Sequence, residues 1–549
     1  MRELGAVLII LVSVCKGSAK NCFSQTPNWS TSNGNLVLQD SLVFNLKGTS
    51  WFGFETETNA PHGLWSKPIS FFLDFLQKYG FNAMRLPFSV KLAFENPSTN
   101  VDCGSNPKVC NLKALDLMDH IIDEAGKRGI LVMIDQHRLH GNGIHELWYD
   151  SQYPEEKILK SWDIIMGRFA RKWNVFALDI KNEPHGVATW GYGKRDTDWN
   201  KAAERIINYI GKKYPQYKGL FFVEGVGENA KTPTPNSYGH FWAENLEGVH
   251  QYPISTGSAA LDARVVYSPH VYGPDVYMQN YFHHSNFPNN MPKIWDLHFG
   301  FAEKKTGHAV VVGEWGGHYE NSKDKAWQDR FGKYLREKCM ADQFYWCLNP
   351  NSGDTGGLLK DDWNSPNINK LNLLKSVQPN PSKLIKSGSQ YCFEPGRSPC
   401  GGTAPTTKTT KKSTQSTSST TKTTTQKTTP KVTTATAKTT TTSKSGGGNG
   451  GLTVVVKKTN SWQDSGATMT QISLIIKNES SQKMCPTAMR SEPADLDIQS
   501  KWNIQKGTGG EFTLPSWLQV NAGQQYTGIG MIIRSEELPK FEITNADEC

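Results

Sequence analysis

Residues 176–186 read FALDIKNEPHG. Phe176, Ala177, Leu178 and Ile180 form the apolar run of a buried strand, after which Asn182 and Glu183 appear and Pro184 ends it. Burying an amide and a carboxylate is costly unless both are paired or put to use. Either these are ordinary satisfied loop groups, or a strand is delivering chemistry to its tip. The remainder of the chain decides between the two.

Seven further runs share the pattern: LVFNLKGTSW (42–51), FNAMRLPF (81–88), GILVMIDQH (129–137), GLFFVEG (219–225), RVVYSPHVYG (264–273), HAVVVGEW (308–315) and QFYWCLNP (343–350). Amphipathic stretches such as LKALDLMDHIIDEAGKRG (112–129) and WNKAAERIINYIGKKYP (199–215) lie between them. Eight strands alternating with helices predict an α/β fold, a parallel (β/α)8 TIM barrel. An open doubly wound sheet is the alternative, but no GxGxxG follows the first strand. Arg85, His137, Asn182, Glu183, Glu224, His270, Tyr272, Glu314 and Trp346 all fall at or near C-terminal strand ends. In a barrel those ends converge on one face, where active sites are built.

Glu183 ends the fourth strand and Glu314 the seventh, so the two carboxylates face each other across the mouth. Such a pair is the minimum for cleaving a glycosidic bond: one is protonated to assist the leaving oxygen, the other ionised to attack or to activate water. Their surroundings push the two pKa values apart. Arg85 favours an ionised neighbour and Tyr272 can hydrogen-bond it, which suits a nucleophile. Asn182 can hold a sugar hydroxyl beside Glu183, His137 and His270 can orient the carboxylates or bind hydroxyls, and Trp346 offers a flat face to a pyranose. Spacing alone leaves Glu224 as a rival acid.

The N-terminus, MRELGAVLIILVSVCKGSAKNC, has an early Arg, a short apolar run and small residues at Gly17 and Ala19. It reads as a signal peptide over residues 1–19 and predicts a secreted, extracellular protein. The run is too short to span a bilayer. Removing Cys15 with that segment leaves nine cysteines, most of which should pair outside the cell. The expected pairs are Cys103 with Cys110, Cys392 with Cys400, and Cys485 with Cys549, with one thiol left over. No CxxC pairs with another, so a zinc-finger reading is poor.

The formal charge of +9 invites a nucleic-acid or membrane partner, but residues 403–448 alone carry eight Lys and no acid. Removing those eight leaves +1, so neither partner is expected for the folded parts. The tract is Thr-rich, nearly free of apolar residues and closes in GGGNGG (446–451), which makes residues 401–450 a disordered linker. Its hydroxyls are candidate O-glycan sites, and Asn28-Trp-Ser and Asn478-Glu-Ser are candidate N-glycan sites. Residues 20–400 form the barrel. Residues 451–549, with short strands such as LTVVVKKTNSW, TQISLIIKN and QQYTGIGMIIRS, predict an all-β sandwich that binds and does not catalyse. Trp462, Trp502 and Trp517 are its candidate sugar-stacking residues, with at least one of them, Trp517 foremost, expected in the core.

NEP at 182–184, GEWGG at 313–317, MRLP at 84–87 and HVY at 270–272 resemble glycoside hydrolase family 5. SWFGFETET (50–58), HGLWS (62–66), FPNNMPKIW (287–295) and NPNSGDTGGLLKDDW (349–363) resemble its bacterial-type cellulases, the endo-β-1,4-glucanases. The likeness spans roughly residues 40–375. It implies Glu183 as acid/base and Glu314 as nucleophile of a retaining mechanism, with Arg85, His137, Asn182, His270, Tyr272 and Trp346 as site residues. Trp51 and Trp242 fall where related enzymes stack glucose units. The implied partner is cellulose or a related β-glucan, handled by a monomer without cofactor or metal. Other family 5 specificities (mannan, xyloglucan, lichenan) remain alternatives, as does a catalytically silent polysaccharide-binding protein. Trp315 stands where close relatives often have Phe, which predicts an altered subsite. The loop DQHRLHGNGIHELWY (135–149) is rich in His; a metal site is the alternative there, but the reaction needs no metal and the residues are read as solvated loop histidines. LPSWLQVNAGQQY (514–526) resembles cellulose-binding modules of family 2 or 49.

Overall fold

Alternation along the strands sorts residues between two apolar layers. Leu131 and Met133, Leu220 and Phe222, Val266 and Phe344 pack together on the barrel axis. Their neighbours Val132 and Ile134, Phe221 and Val223, Val265 and Tyr345 pack outward against the helices. This is the period-two signature of a sheet buried on both faces.

The structure is a computed structural model. It describes residues 21–400 except 142 and 234, residues 442–444, and residues 451–549 except 465–466, 503 and 515–517. The expected signal peptide and most of the expected linker lie outside the described residues, as does Trp517. No helix among the described residues is long and apolar enough to cross a membrane.

The barrel strands are β1 (Lys47–Ser50), β2 (Ala83–Ser89), β3 (Leu131–Arg138), β4 (Val175–Asp179), β5 (Leu220–Val223), β6 (Val265–Tyr267), β7 (Glu314–Gly316) and β8 (Gln343–Tyr345). Seven of them form one sheet in the order β6-β5-β4-β3-β2-β1-β8, every pair parallel. The segment entering β7 closes the ring through parallel bridges from Val310 to Tyr267 and from Val312 to Gln343. Beyond them, Glu314–Gly316 pairs with His270–Tyr272, the continuation of β6. The helices that follow the strands are α1 (Ile69–Lys78), α2 (Ala114–Lys127), α3 (Glu155–Phe169), α4 (Trp199–Lys213), α5 (Ala259–Asp262), α6 (Met291–Trp295), α7 (Ser322–Glu337) and α8 (Ile368–Val377). On α1, Ile69, Phe72, Leu73 and Leu76 are buried, the stripe that a 3.6-residue period places against the sheet. A three-stranded antiparallel sheet over Trp29–Ser32, Asn35–Leu38 and Leu42–Phe44 packs Trp29, Leu36, Leu38 and Phe44 into the axial cluster.

The C-terminal unit is a two-sheet sandwich. One sheet orders Thr442–Lys444, Leu452–Asp464, Ala467–Asn478, Gln525–Arg534 and Ile498–Trp502, and the other orders Gln505–Lys506, Glu511–Thr513, Met484–Glu492 and Lys540–Glu548. Alternating Leu452, Val454 and Val456 meet Ile472, Leu474, Ile476, Phe541 and Ile543 in its core. Thr442–Lys444, expected in the linker, pairs antiparallel with Val455–Lys457.

The disulfides are Cys22–Cys392, Cys103–Cys110, Cys339–Cys400 and Cys485–Cys549, with Cys347 a buried free thiol. The expected Cys392–Cys400 link is therefore wrong. Strand Asn21–Phe23 pairs with Gln390–Glu394 in a register that sets Cys22 opposite Cys392, a pairing that local spacing does not reveal. The Asn478 sequon is not a usable glycan site either: its buried amide donates to the carbonyls of Gln482 and Val520.

Candidate active site

The parity that fills the axis with Leu and Phe lower down delivers charge at the mouth. Arg85 follows Ala83, Asp135 and His137 follow Met133, Glu224 follows Phe222, His270 follows Val266, and Trp346 follows Phe344, each by two or four residues. Glu183 stands on the turn after β4 with a left-handed φ of 50°, a conformation that costs a non-glycine residue on the order of 1–3 kcal/mol. Its N–H donates to Glu224 Oε2 at 2.6 Å, which holds the turn.

Arg85 is fully buried at the centre. Its Nε donates to Asp179 at 3.0 Å, Nη1 to Glu314 Oε1 at 2.5 Å, and Nη2 to Asn182 Oδ1 at 2.8 Å. Tyr272 donates its hydroxyl to Glu314 Oε2 at 2.6 Å. Both Glu314 oxygens thus accept from strong donors, which favours the ionised form. His270 sits between the acids, with Nδ1 3.2 Å from Glu183 Oε1 and 3.6 Å from Glu314 Oε2, and Nε2 3.1 Å from Glu224. One oxygen of Glu183 and one of Glu314 lie within 4.8 Å of each other.

Burial raises Glu314 above its ordinary range, against the pull of His270 and Arg85. Glu183 is equally buried, but the hydrogen bond and charge of His270 outweigh desolvation and hold it below that range. Desolvation lowers His270, yet Glu224, Glu314 and Glu183 together carry it well above the usual imidazole value. The three carboxylates around it thus favour the protonated form of His270. Glu224 is raised to about 8 by desolvation and then by Asp179. It is fully buried and does not line the cleft, so the rival acid acts as a support for Glu183 and His270.

The cleft has a volume of about 900 Å³. Glu183, Glu314, His137, Tyr272, Trp242 and Trp346 line it. Trp346 lies nearly parallel to Phe52 at 5.3 Å and to His137 at 5.6 Å. Trp242, 49% exposed, stacks on His185 at 3.8 Å. Asn182 is buried behind the wall, its amide nitrogen without a protein partner among the described residues.

Two sequence expectations fail here. Trp51 does not reach the cleft: it is fully buried against Phe72 and donates to His62 O. Gly48 faces Phe344 on the axis, so parity turns Phe52 inward and Trp51 outward; Phe52, which sequence reading missed, lines the cleft in its place. Trp315 forms no subsite, being buried against Phe331 and Tyr345 with its indole N–H on Gln343. His185, also missed, follows Pro184 directly and binds Glu183 O at 2.7 Å. For the C-terminal unit, Trp462 and Trp502 lie on strands opposite Met469 and Gly530, their side chains outside the described residues.

Paired carboxylates at a barrel mouth, with aromatic platforms beside them, define a polysaccharide hydrolase cleft. Residues 43–352 match the cellulase family, glycosyl hydrolase family 5, and the chain belongs to that family. Residues 452–533 match the carbohydrate-binding domain CBM49, the second of the two families that the sequence resembled. The major extracellular endoglucanase of Xanthomonas campestris pv. campestris is 42% identical over 355 residues, covering 64% of this chain and 71% of that protein. An endoglucanase of Paenibacillus polymyxa is 40% identical over 353 residues, covering 63% and 85%. Among solved structures, the catalytic domain of the Xanthomonas enzyme aligns at TM-score 0.60 and 41% identity, covering 64% of this chain and 99% of that one. An endocellulase of Pyrococcus horikoshii, solved in complex with cellotetraose, aligns at TM-score 0.61 and 38% identity over the same shares. The chain is a glycoside hydrolase of the cellulase type.

Proposed function

We propose that this chain is a secreted, monomeric endo-β-1,4-glucanase that cleaves internal bonds of cellulose with retention. The observation that carries this reading is the approach of Glu183 and Glu314 to within 4.8 Å, oxygen to oxygen. So close an approach of two carboxylate oxygens fits the roughly 5–5.5 Å between the carboxyl groups of a retaining pair and supports direct attack by one of them. Glu314, ionised and fixed by Arg85 and Tyr272, attacks the anomeric carbon. Glu183 protonates the glycosidic oxygen as the C–O bond breaks, and the covalent glycosyl-enzyme forms. Water then enters, Glu183 takes its proton, and its oxygen displaces Glu314. The proton that Glu183 needs is supplied by His270 at 3.2 Å. Trp346, Phe52 and Trp242 hold successive glucose rings.

The reaction centre is complete within one chain, which supports action as a monomer. Secretion is supported by the N-terminal apolar run, by four disulfides and by the extracellular relative. The C-terminal module holds the enzyme on insoluble cellulose, and the Thr-rich segment tethers it, raising the local concentration of the barrel on its substrate.

Proton NMR of the first product anomer tests the mechanism: β-configured ends are expected, and inversion would overturn it. Glu183→Gln should still be glycosylated by an activated aryl cellobioside yet stall in deglycosylation, whereas Glu314→Gln should not react at all. Rates on soluble cellulose derivatives are expected to exceed those on mannan, xyloglucan or lichenan; faster mannan turnover would reassign the substrate.

A further inference from the structure

The loop after β3 brings three donors to one point, on the side of the barrel that carries the cleft. His140 and His145 approach Nε2 to Nε2 at 2.9 Å. Asp150 Oδ2 faces both rings, 3.4 Å from His140 Nε2 and 3.8 Å from His145 Nε2. Among the described residues neither ring hydrogen-bonds that oxygen, although all three groups are half-buried. The other carboxylate oxygen is fixed by the Tyr153 N–H at 2.7 Å. His145 Nδ1 is buried without a partner among the described residues, and the two rings pack edge to face at 4.3 Å. These are not the independently solvated histidines that the sequence suggested.

We propose that His140, His145 and Asp150 form a site for a zinc-class divalent cation, separate from the hydrolytic centre. The edges of the triangle, 2.9, 3.4 and 3.8 Å, bracket the roughly 3.3 Å that separates ligand atoms around a tetrahedral ion with bonds near 2.0–2.1 Å. One point about 2 Å from all three atoms therefore exists, and an ion there needs almost no movement of the ligands. Two imidazoles with one carboxylate select Zn²⁺ or a similar borderline ion over Ca²⁺ and Mg²⁺, which prefer all-oxygen sites. The fourth position opens to water. The spacing His140-x4-His145-x4-Asp150 keeps all three ligands on one loop.

The consequence is mechanical. The same loop carries Ile144 to the cleft wall, beside Arg138 at the end of β3. Glu146 accepts the Val187 N–H at 2.9 Å, and its carbonyl accepts the His185 N–H at 3.2 Å. An ion that pins the loop therefore stiffens the segment following Glu183, without touching the reacting atoms.

The test uses the full secreted chain, stripped with chelator and dialysed against Zn²⁺. One zinc per chain is expected by elemental analysis, with a rise of a few degrees in Tm. His140→Asn, His145→Asn and Asp150→Asn should each weaken zinc binding by more than the roughly 10–100-fold that outer-shell changes cost, and the Tm response should vanish with it. Co²⁺ in the parent should give the intense visible bands of a tetrahedral site, absent in His145→Asn. If one substitution unfolds the loop, the other two and the cobalt spectrum still decide the matter. Equal zinc content in parent and variants, or no bound zinc in the parent, would overturn the site.

Discussion

Arg85 Nη1 lies 2.5 Å from Glu314 Oε1, joining β2 and β7 across the barrel axis. The same guanidinium holds Asp179 and Asn182, and only a planar fork reaches all three. Arg85→Lys is therefore expected to lower kcat on a soluble cellulose derivative by on the order of 10²–10³-fold, the scale of losing one preorganised electrostatic donor. Arg85→Ala should also cost about 3–5 kcal/mol of stability, because buried carboxylates lose their counter-charge. Steady-state kinetics with denaturant titration check both; a Lys variant of parental kcat would contradict the assignment.

The pH profile follows from the cluster around His270. Falling pH protonates Glu314, which burial has raised above the ordinary carboxylate range, so the acid limb of kcat/KM should lie above that range. Rising pH removes the proton held by His270, whose burial is outweighed by Glu224, Glu314 and Glu183 so that its pKa stands well above the usual imidazole value. The alkaline limb should accordingly lie above neutrality. His270→Asn should pull that limb down, because Glu183 would have to retain the proton alone. An unmoved alkaline limb in the variant would rule out His270 as the proton store.

Trp51 and Phe52 are adjacent and should fail differently. Trp51 is a core residue, so Trp51→Ala is expected to cost about 3–5 kcal/mol of stability, read by denaturation. Phe52 lies parallel to Trp346 at 5.3 Å, so Phe52→Ala should raise KM on oligosaccharides several-fold, with a smaller loss of stability.

That contrast also marks what could be read in advance. The eight apolar runs and their polar ends were legible because the barrel needs a repeated strand–helix alternation and gathers its strand tips on one face. Glu183, Glu314, Arg85, His270 and Tyr272 announced themselves as charged or hydroxylated groups at those tips, and the structure brings all five together. Aromatic character alone points to Trp51, whereas strand parity, counting by two from Gly48, selects Phe52. Cys22–Cys392 was hidden because the two cysteines are 370 residues apart and meet only through the pairing of terminal strands. Convergence of His140, His145 and Asp150 depends on the path of one loop, which no periodicity encodes.

His240 gives a stability prediction with a defined pH window. Desolvation lowers its pKa, but hydrogen bonds to Glu228 and Glu247 prevail and raise it to about 9; Glu244 adds its charge, and His298 packs at 4.0 Å. A raised imidazole stabilises the fold fully below its unfolded value near 6.5 and loses that contribution as pH climbs towards 9. The loss is at most about 3 kcal/mol, given 1.36 kcal/mol per unit. Urea denaturation at pH 6 and pH 9.5 should show this decline in the parent and a flatter response in His240→Gln. Equal slopes would show that the His240 carboxylate cage does not store that energy.

Truncation separates the two folded units, and the disulfides fix where to cut. Cys400 pairs with Cys339, so a chain ending at Gly402 keeps every barrel disulfide, whereas one ending before Cys400 loses a link from the tail to the end of α7. The chain ending at Gly402 retains the whole reaction centre and should match the parent on soluble substrate. Its binding to insoluble cellulose should fall, because the module is gone. Stacking is worth on the order of 0.5–1.5 kcal/mol for an aromatic pair, and two such contacts through Trp462 and Trp502 would amount to roughly five- to a hundredfold in affinity. Trp462→Ala with Trp502→Ala in the full chain should reproduce that loss without altering soluble turnover. Cellulose binding at parental strength in the double variant would move the sugar face elsewhere on the sandwich. A barrel chain inactive on soluble substrate would instead mean that the module is needed for the fold or chemistry of the first unit.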